Sequence, residues 1–156
     1  YREHIVYVAG PSHGEEVAAG KLTGLIAASK NPLSSIRCRE ILKSRSLLVY
    51  SSLDVIGVQV CAATKNVIAI AFGILDALIE HSDFFGDNTE SLLLAAGLNE
   101  IQIIGRAMGA THPETFTSIS GIGDLDVTCR SKYGRNRKFG REIITIFYAL
   151  LPASMI

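Results

Sequence analysis

The sequence predicts a short α/β segment over residues 1–53 joined to an all-helical segment over residues 54–156. Three observations carry that prediction. Short β-branched apolar runs alternate with helix-like stretches as far as residue 53, the pattern of a sheet with helical crossovers. After Asp54 that alternation stops. Residues 55–79 then form one apolar stretch that is too long for a strand and long enough for a buried core helix.

The elements follow in order. "HIVYVAG" is β-branched and ends at Gly10-Pro11, so it reads as a buried strand closing in a turn. Ser12 stands three residues before Glu15, the spacing of a capping box, and a brief helix over "GEEVAAG" should end at Gly20. "LTGLIAAS" reads as a second strand. "NPLSSIRCREILKSR" begins with Asn31 before Pro32, a helix start, and ends in basic residues that suit a helix C-terminus. "SLLVYSS" is a third strand. In the second segment, "GDNTESLLLAAGLNEIQIIGRAMGA" offers Asn88 or Thr89 as cap, with Leu92, Leu93, Ala96, Ile101, Ile104 and Met108 at helical spacing. "HPETFTSIS" is a short helix with Pro113 near its start. A Gly-flanked turn, "GIGDL", follows, and a basic helix opens near Arg135.

Composition narrows the function classes. Apolar residues make up 48% of the 156, enough to bury a core. Fifteen basic and fifteen acidic side chains cancel, which counts against a dedicated nucleic-acid binder. Locally the balance fails, because Arg130, Lys132, Arg135, Arg137, Lys138 and Arg141 crowd into twelve residues. A concentrated positive site on a neutral chain suits a small anion better than a polymer. Tyr133 and Phe139 supply little aromatic interleaving, and no RRM, KH or helix-turn-helix pattern surrounds them. Cys38, Cys61 and Cys129 are scattered without metal-ligand spacing, as expected of packed, reduced thiols in a cytoplasmic protein. Residues 55–75 are long and apolar enough to cross a bilayer. Lys65 at the midpoint, with Asn66 beside it, would cost about 3 kcal/mol there, so a buried helix and no membrane span is the expectation.

Lys65 is the most informative residue. A lysine inside an apolar helix is costly to desolvate, and burial favours its neutral form, as a general base requires. The alternative is a stem that snorkels to the surface or pairs with an acid. Asp124, in its Gly-flanked turn, can face Lys65 or a ligand, or satisfy its own backbone. Thr128 can cap or support. Arg135 and Asn136 follow a glycine and begin a helix, where free N–H groups, the dipole and a guanidinium together form an anion site. The other basic residues of the cluster are expected to be solvated. "GPSHGEE" is a strand-to-helix turn of small residues, where a phosphate or ribose can approach backbone closely. A G-x-G-x-x-G turn in a first βα unit is absent from these 156 residues.

Five stretches, "GPSHGEEVAAG", "VYSSLDVIGVQVCAATKNVIAIAFGILDAL", "GDNTESLLLAAGLNEI", "SGIGDLDVTC" and "GRNRKFG", together resemble the NAD(P)-dependent glycerol-3-phosphate dehydrogenases, in family order and at near-family spacing. The resemblance implies the C-terminal part of a Rossmann NAD(P)-binding domain over residues 1–53. It implies an incomplete helical substrate domain over 54–156, of the 6-phosphogluconate dehydrogenase C-terminal-like kind. It further implies reversible hydride transfer between dihydroxyacetone phosphate and sn-glycerol 3-phosphate with NAD or NADP, feeding glycerophospholipid synthesis in the cytoplasm. Lys65 matches the family's catalytic lysine, and Asp124 the acid that lines the substrate site. Arg135 and Asn136 match the pair that holds the substrate phosphate, Arg135 also lying near the cofactor. Gly10, Ser12 and Gly134 match substrate-side positions, Gly14 a cofactor-side one, and Asn66 and Thr128 supporting contacts. A homodimer is compatible with the family.

The departures are specific. Gly134 stands where many relatives carry Ser, Glu90 replaces a basic residue, and Ala96 replaces an arginine. A loop around "EHSDFF" is extra, and the family pattern fades after Arg141. The first Rossmann units are expected to lie outside the chain, so little dehydrogenase activity is expected of it alone. The competing readings are a related two-domain hydroxy-acid dehydrogenase and a non-catalytic helical remnant.

Overall fold

The computed structural model describes residues 4–131 and 134–151. Three strands form one mixed sheet in the order β1-β2-β3. β1 (Tyr7–Ala9) pairs antiparallel with β2 (Thr23–Ala28), Ala9 standing opposite Ile26. β2 pairs parallel with β3 (Leu47–Ser52). Between them lie α1 (Gly14–Ala18) and α2 (Pro32–Leu42). The parallel pair needs a crossover, and α2 supplies it. Asn31 Oδ1 accepts from the N–H groups of Leu33 and Ser34, and Pro32 occupies the first turn, so the Asn-Pro start acts as expected.

The expected Ser12–Glu15 capping box does not form. The Ser12 hydroxyl turns back to donate to the Gly10 carbonyl at 3.0 Å, and His13 stands at the helix start without a side-chain cap bond.

The remainder is helical. α3 (Val55–His81) is the central rod, followed by α4 (Asp87–Ala107), a 3-10 turn at Pro113–Thr115, a wide π-type turn at Ile119–Gly123, α5 (Asp124–Arg130) and α6 (Arg135–Leu150). α3 is long and apolar enough to cross a membrane, but here it serves as the core helix. Val60, Cys61, Ile68, Ala69 and Phe72 pack with Ile101 of α4, Phe116, and Leu125 and Cys129 of α5. A second cluster joins α3 to the sheet through Val58, Ala9, Ile26 and Ala28.

The cap of α4 is Gly86, not Asn88 or Thr89. Thr89 reaches back instead, and its hydroxyl accepts from the Gly86 N–H at 3.3 Å. Of the apolar positions in α4, Ile101 is buried and Leu93 half-buried, while Leu92, Ala96, Ile104 and Met108 face outward. The "EHSDFF" stretch is partly helical, since α3 runs on through His81. α6 likewise continues through the divergent tail to Leu150.

α3 and α6 meet without side chains between them. A Cβ on Gly73 would stand 1.8 Å from the Arg137 carbonyl oxygen, and one on Gly140 would stand 2.0 Å from that of Ile70. Only glycine permits that approach, and it brings the start of α6 against the middle of α3.

Candidate functional site

The middle of α3 supplies Lys65 and Asn66, one helical turn beyond Ala62, which packs toward the sheet. Opposite them lies the start of α5. The chain reaches it through the wide turn, where Gly121 leaves helical geometry at φ −91° and ψ −105°. A Cβ there would meet the Phe116 carbonyl oxygen at 2.1 Å, so glycine is required. Asp124 is therefore the first residue of a helix and not part of the turn, as the sequence reading had it. It is buried.

Lys65 Nζ donates to Asp124 Oδ1 at 2.6 Å, with the two side chains 20% and 3% exposed. The lysine thus has its counter-charge from a segment 59 residues away, and its outer part still reaches solvent. Thr128 Oγ1 donates to the Asp124 carbonyl at 2.5 Å, one turn along α5. Asn66 Oδ1 accepts from Asn136 Nδ2 at 2.8 Å, which ties the lysine's neighbour to the start of α6. Arg135 precedes Asn136 and is exposed. Among the described residues no carboxylate pairs with it.

The rest of the basic cluster resolves into ion pairs. Arg137 forms a two-pronged pair with Asp76, both contacts at 2.6 Å, and lies mostly covered; the expectation that it is solvated does not hold. Its guanidinium pKa is raised, first by that hydrogen bonding. Arg130 pairs with Asp126 at 2.7 Å and lies 3.9 Å from Glu90. Lys138 is 3.7 Å from Glu142, and Arg141 pairs with Glu80; these exposed contacts contribute little stability. Lys132 and Tyr133 lie outside the described residues. Among the described residues of the cluster, Arg135 is the one without a carboxylate partner.

The sheet-side residues approach from the other direction. Gly10 is buried at the end of β1, and Pro11 lies 4.0 Å from where a Cβ on Gly123 would stand, next to Asp124. Ser12 is exposed. Gly14 opens α1 with free space beside it, and among the described residues no hydrogen bond ties it to the Lys65 group. So Lys65, Asp124 and Thr128 form one hydrogen-bonded group and Asn66 and Asn136 a second, brought together because Lys65 and Asn66 are neighbours on α3, with Arg135 and Gly134 at the edge of this polar network and Gly10 and Ser12 nearby. Among the described residues no metal-binding group of His, Cys, Asp and Glu occurs.

Cavity size does not mark this network. A cavity of about 430 Å³ lies between α2, the end of β3 and the 112–120 stretch, lined by Ser35, Ser52, His112 and Ser120 among others. A larger one, about 820 Å³, is bordered by Asp76, Glu80, Gly134, Arg137 and Arg141. Neither is lined by Lys65 or Asp124. The network's chemistry lies in paired polar groups on a partly open face, which neither cavity offers around Lys65.

Two features escaped the sequence reading. Asp54, 2% exposed, caps α3 through the Gly57 N–H and also accepts from Thr111, His112 and Thr115. Asp-x-x-Gly before the apolar run was a usable signal for the cap. Asp76–Arg137 carries no local signal, since 61 residues separate the partners.

A mixed sheet backed by a helical module, with a half-buried lysine held on a buried carboxylate beside a cationic helix start, defines the class of this chain: a mixed α/β and α protein with a candidate site where its helices meet. The family model for the NAD-dependent glycerol-3-phosphate dehydrogenase C-terminus matches residues 54–151. The chain belongs to that family. It is 86% identical over 145 residues to glycerol-3-phosphate dehydrogenase [NAD(P)+] of Treponema denticola, covering 93% of this chain and 41% of that protein. A counterpart in Salinibacter ruber is 43% identical over 136 residues, covering 87% and 38%. The crystal structure of glycerol-3-phosphate dehydrogenase from Coxiella burnetii superposes with a TM-score of 0.81 at 37% identity, covering 88% of this chain and 41% of that one. The chain thus spans about two fifths of the length of the relatives it matches.

Proposed function

We propose that this chain is the proton-handling and phosphate-holding part of a glycerol-3-phosphate dehydrogenase that interconverts sn-glycerol 3-phosphate and dihydroxyacetone phosphate. The observation that carries the reading is the Lys65–Asp124 pair at 2.6 Å, set beside the Asn66–Asn136 bond and Arg135, which has no carboxylate partner among the described residues. Reduction of the ketone requires a hydride at carbon and a proton at oxygen. Lys65 Nζ gives that proton, and in the reverse direction receives it from the C2 hydroxyl. Asp124 holds the lysine's amine in place, and Thr128 steadies the first turn of α5 from below. Arg135 and Asn136 hold the phosphate dianion at the free N–H groups of α6. Gly10 and Ser12 close the substrate side with Gly134 backbone, and Asn66 orients Asn136.

The nicotinamide of NAD or NADP, when bound, supplies or accepts the hydride. What this chain offers the dinucleotide is limited to open backbone at Gly14 and the Arg135 guanidinium, so choice between the two cofactors lies with residues outside it. The reading places the Rossmann tail at residues 1–53 and the helical substrate domain from 54 onward, with the family match beginning at residue 54 in support. It also carries a cytoplasmic setting and a role in supplying glycerophospholipid synthesis.

Calorimetric titration of the chain with glycerol 3-phosphate tests the proposal. Binding is expected, and Arg135→Ala is expected to weaken it at least tenfold, from the loss of a charge-assisted bond of about 1.5–3 kcal/mol. A chain that binds equally well without Arg135 refutes the phosphate assignment. Tighter binding of an unphosphorylated hydroxy acid would instead favour a related dehydrogenase.

A further inference from the structure

Gly134 stands at the cap position of α6 and has no side chain, and no side-chain hydrogen bond closes that first turn. A helix start commonly takes its fixed geometry from a cap residue. In α6 it must come from elsewhere. Among the described residues, two side-chain contacts tie that first turn to α3: the single Asn136–Asn66 bond at 2.8 Å and the fork of Arg137 Nε and Nη2 on the two oxygens of Asp76, both at 2.6 Å. A planar guanidinium gripping both oxygens fixes direction as well as distance, which one amide bond does not. The pair is mostly covered, 23% and 18% exposed, so water competes with it weakly. Farther along, the Gly73–Gly140 crossing fits α6 to α3 backbone to backbone, Arg141 pairs with Glu80, and Tyr148 stacks on His81, but these side-chain contacts lie beyond the first turn.

We propose that Asp76–Arg137 is the positioning pair of the site: by pinning one side chain of the first turn of α6, it fixes that turn and so the directions of Arg135 and Asn136. Successive helical residues point about 100° apart. With Arg137 fixed on Asp76, Asn136 is brought to Asn66 and Arg135 is carried to the open side. Arg137 is therefore not an anion ligand. The consequence for substrate rests on the phosphate reading above; the consequence for α6 does not.

The test uses Arg137→Lys, which keeps the charge and removes the fork, with Asp76→Asn as the second variant should the first not fold. The readouts are the side-chain amide signals of Asn136 and Asn66 and the backbone amides of residues 135–138 by ¹⁵N NMR, the unfolding transition, and glycerol 3-phosphate titration. The Asn136 side-chain signals and the first-turn amides should move in a variant that still unfolds cooperatively, and affinity should fall about tenfold. A lower unfolding midpoint with those signals in place would mean the pair only stabilises, and overturns the proposal. If the signals move but the unaltered chain binds no glycerol 3-phosphate, the positioning role stands and the phosphate reading falls. If the unaltered chain binds and the folded variants bind equally, the reverse holds.

Discussion

Removing the Asp54 carboxylate should be among the most destabilising single changes in this chain. Asp54 Oδ1 accepts from the Gly57 N–H at 3.0 Å and the Thr111 N–H at 3.2 Å; Oδ2 accepts from the Thr115 hydroxyl at 2.8 Å and the His112 N–H at 3.3 Å. It thereby caps α3 and ties it to the segment after α4. Asp54→Ala removes a cap worth about 1 kcal/mol and orphans three further donors, those at the chain's surface finding water. A total loss of about 3–4 kcal/mol follows. Asp54→Asn keeps one accepting oxygen and lets the Thr115 hydroxyl rotate, so about 1–2 kcal/mol is expected.

The pH dependence has a definite sign. Burial works to raise the Asp54 pKa, but the four donors outweigh it and hold the carboxyl below its ordinary 3.8. Its contribution is fully present above 3.8 and is lost as pH falls through the lower folded value. Urea unfolding at neutral pH, then at steps below 3.8, measures both effects. The gap between the native chain and Asp54→Asn should narrow on acidification. An Asp54→Ala loss under about 1 kcal/mol at neutral pH, or a gap unchanged by acid, would refute the reasoning.

Three further outcomes are expected. Lys65→Ala leaves a buried carboxylate without its counter-charge and should cost about 3 kcal/mol in urea unfolding, whereas Lys65→Ala with Asp124→Asn should recover part of that loss; no recovery would mean the two side chains are not coupled. Gly140→Ala forces α6 away from α3 and should destabilise by about 2 kcal/mol or more, read from the midpoint of thermal unfolding, with Gly14→Ala, where a Cβ meets open space, as the mild comparison. Cys61 and Cys129 are pushed up to about 12 by burial, so a disulfide reagent at mildly alkaline pH should label Cys38 first and reach the other two only on unfolding; equal labelling rates would contradict the packing of α3 on α5.

Much of the fold was legible because its signals are local. Asn31-Pro32 marks a helix start by geometry that needs no partner, and the apolar length of residues 55–79 dictates a core helix in any soluble context. The misread caps show where local reading stops. Ser12 and Glu15 have the right spacing, but the turn at Gly10 offers the hydroxyl a nearer carbonyl. Thr89 has the composition of a cap, yet it serves from inside the helix, its hydroxyl accepting from the Gly86 N–H. The site was legible in kind through Lys65, whose isolation in an apolar helix demanded an explanation. Its partner was not legible from spacing alone, since Asp124 meets it only after α4 and two turns have intervened. The same holds for Arg137, which looked like one more solvated charge until its carboxylate arrived from α3.

α3 has a consequence beyond packing. Its 27 residues form a rod of about 40 Å. The Asp54 cap sits at one end, Lys65 and Asn66 near the middle, and Asp76 farther on, gripping α6. The lysine and the start of α6 are thus gauged against one rigid ruler. A shift of the sheet relative to the helices would alter how closely the Gly10–Ser12 turn approaches, while the distance between the Lys65 amine and the cationic helix start stays constant. Any opening and closing of such a site is then a movement of one wall against two that keep their spacing.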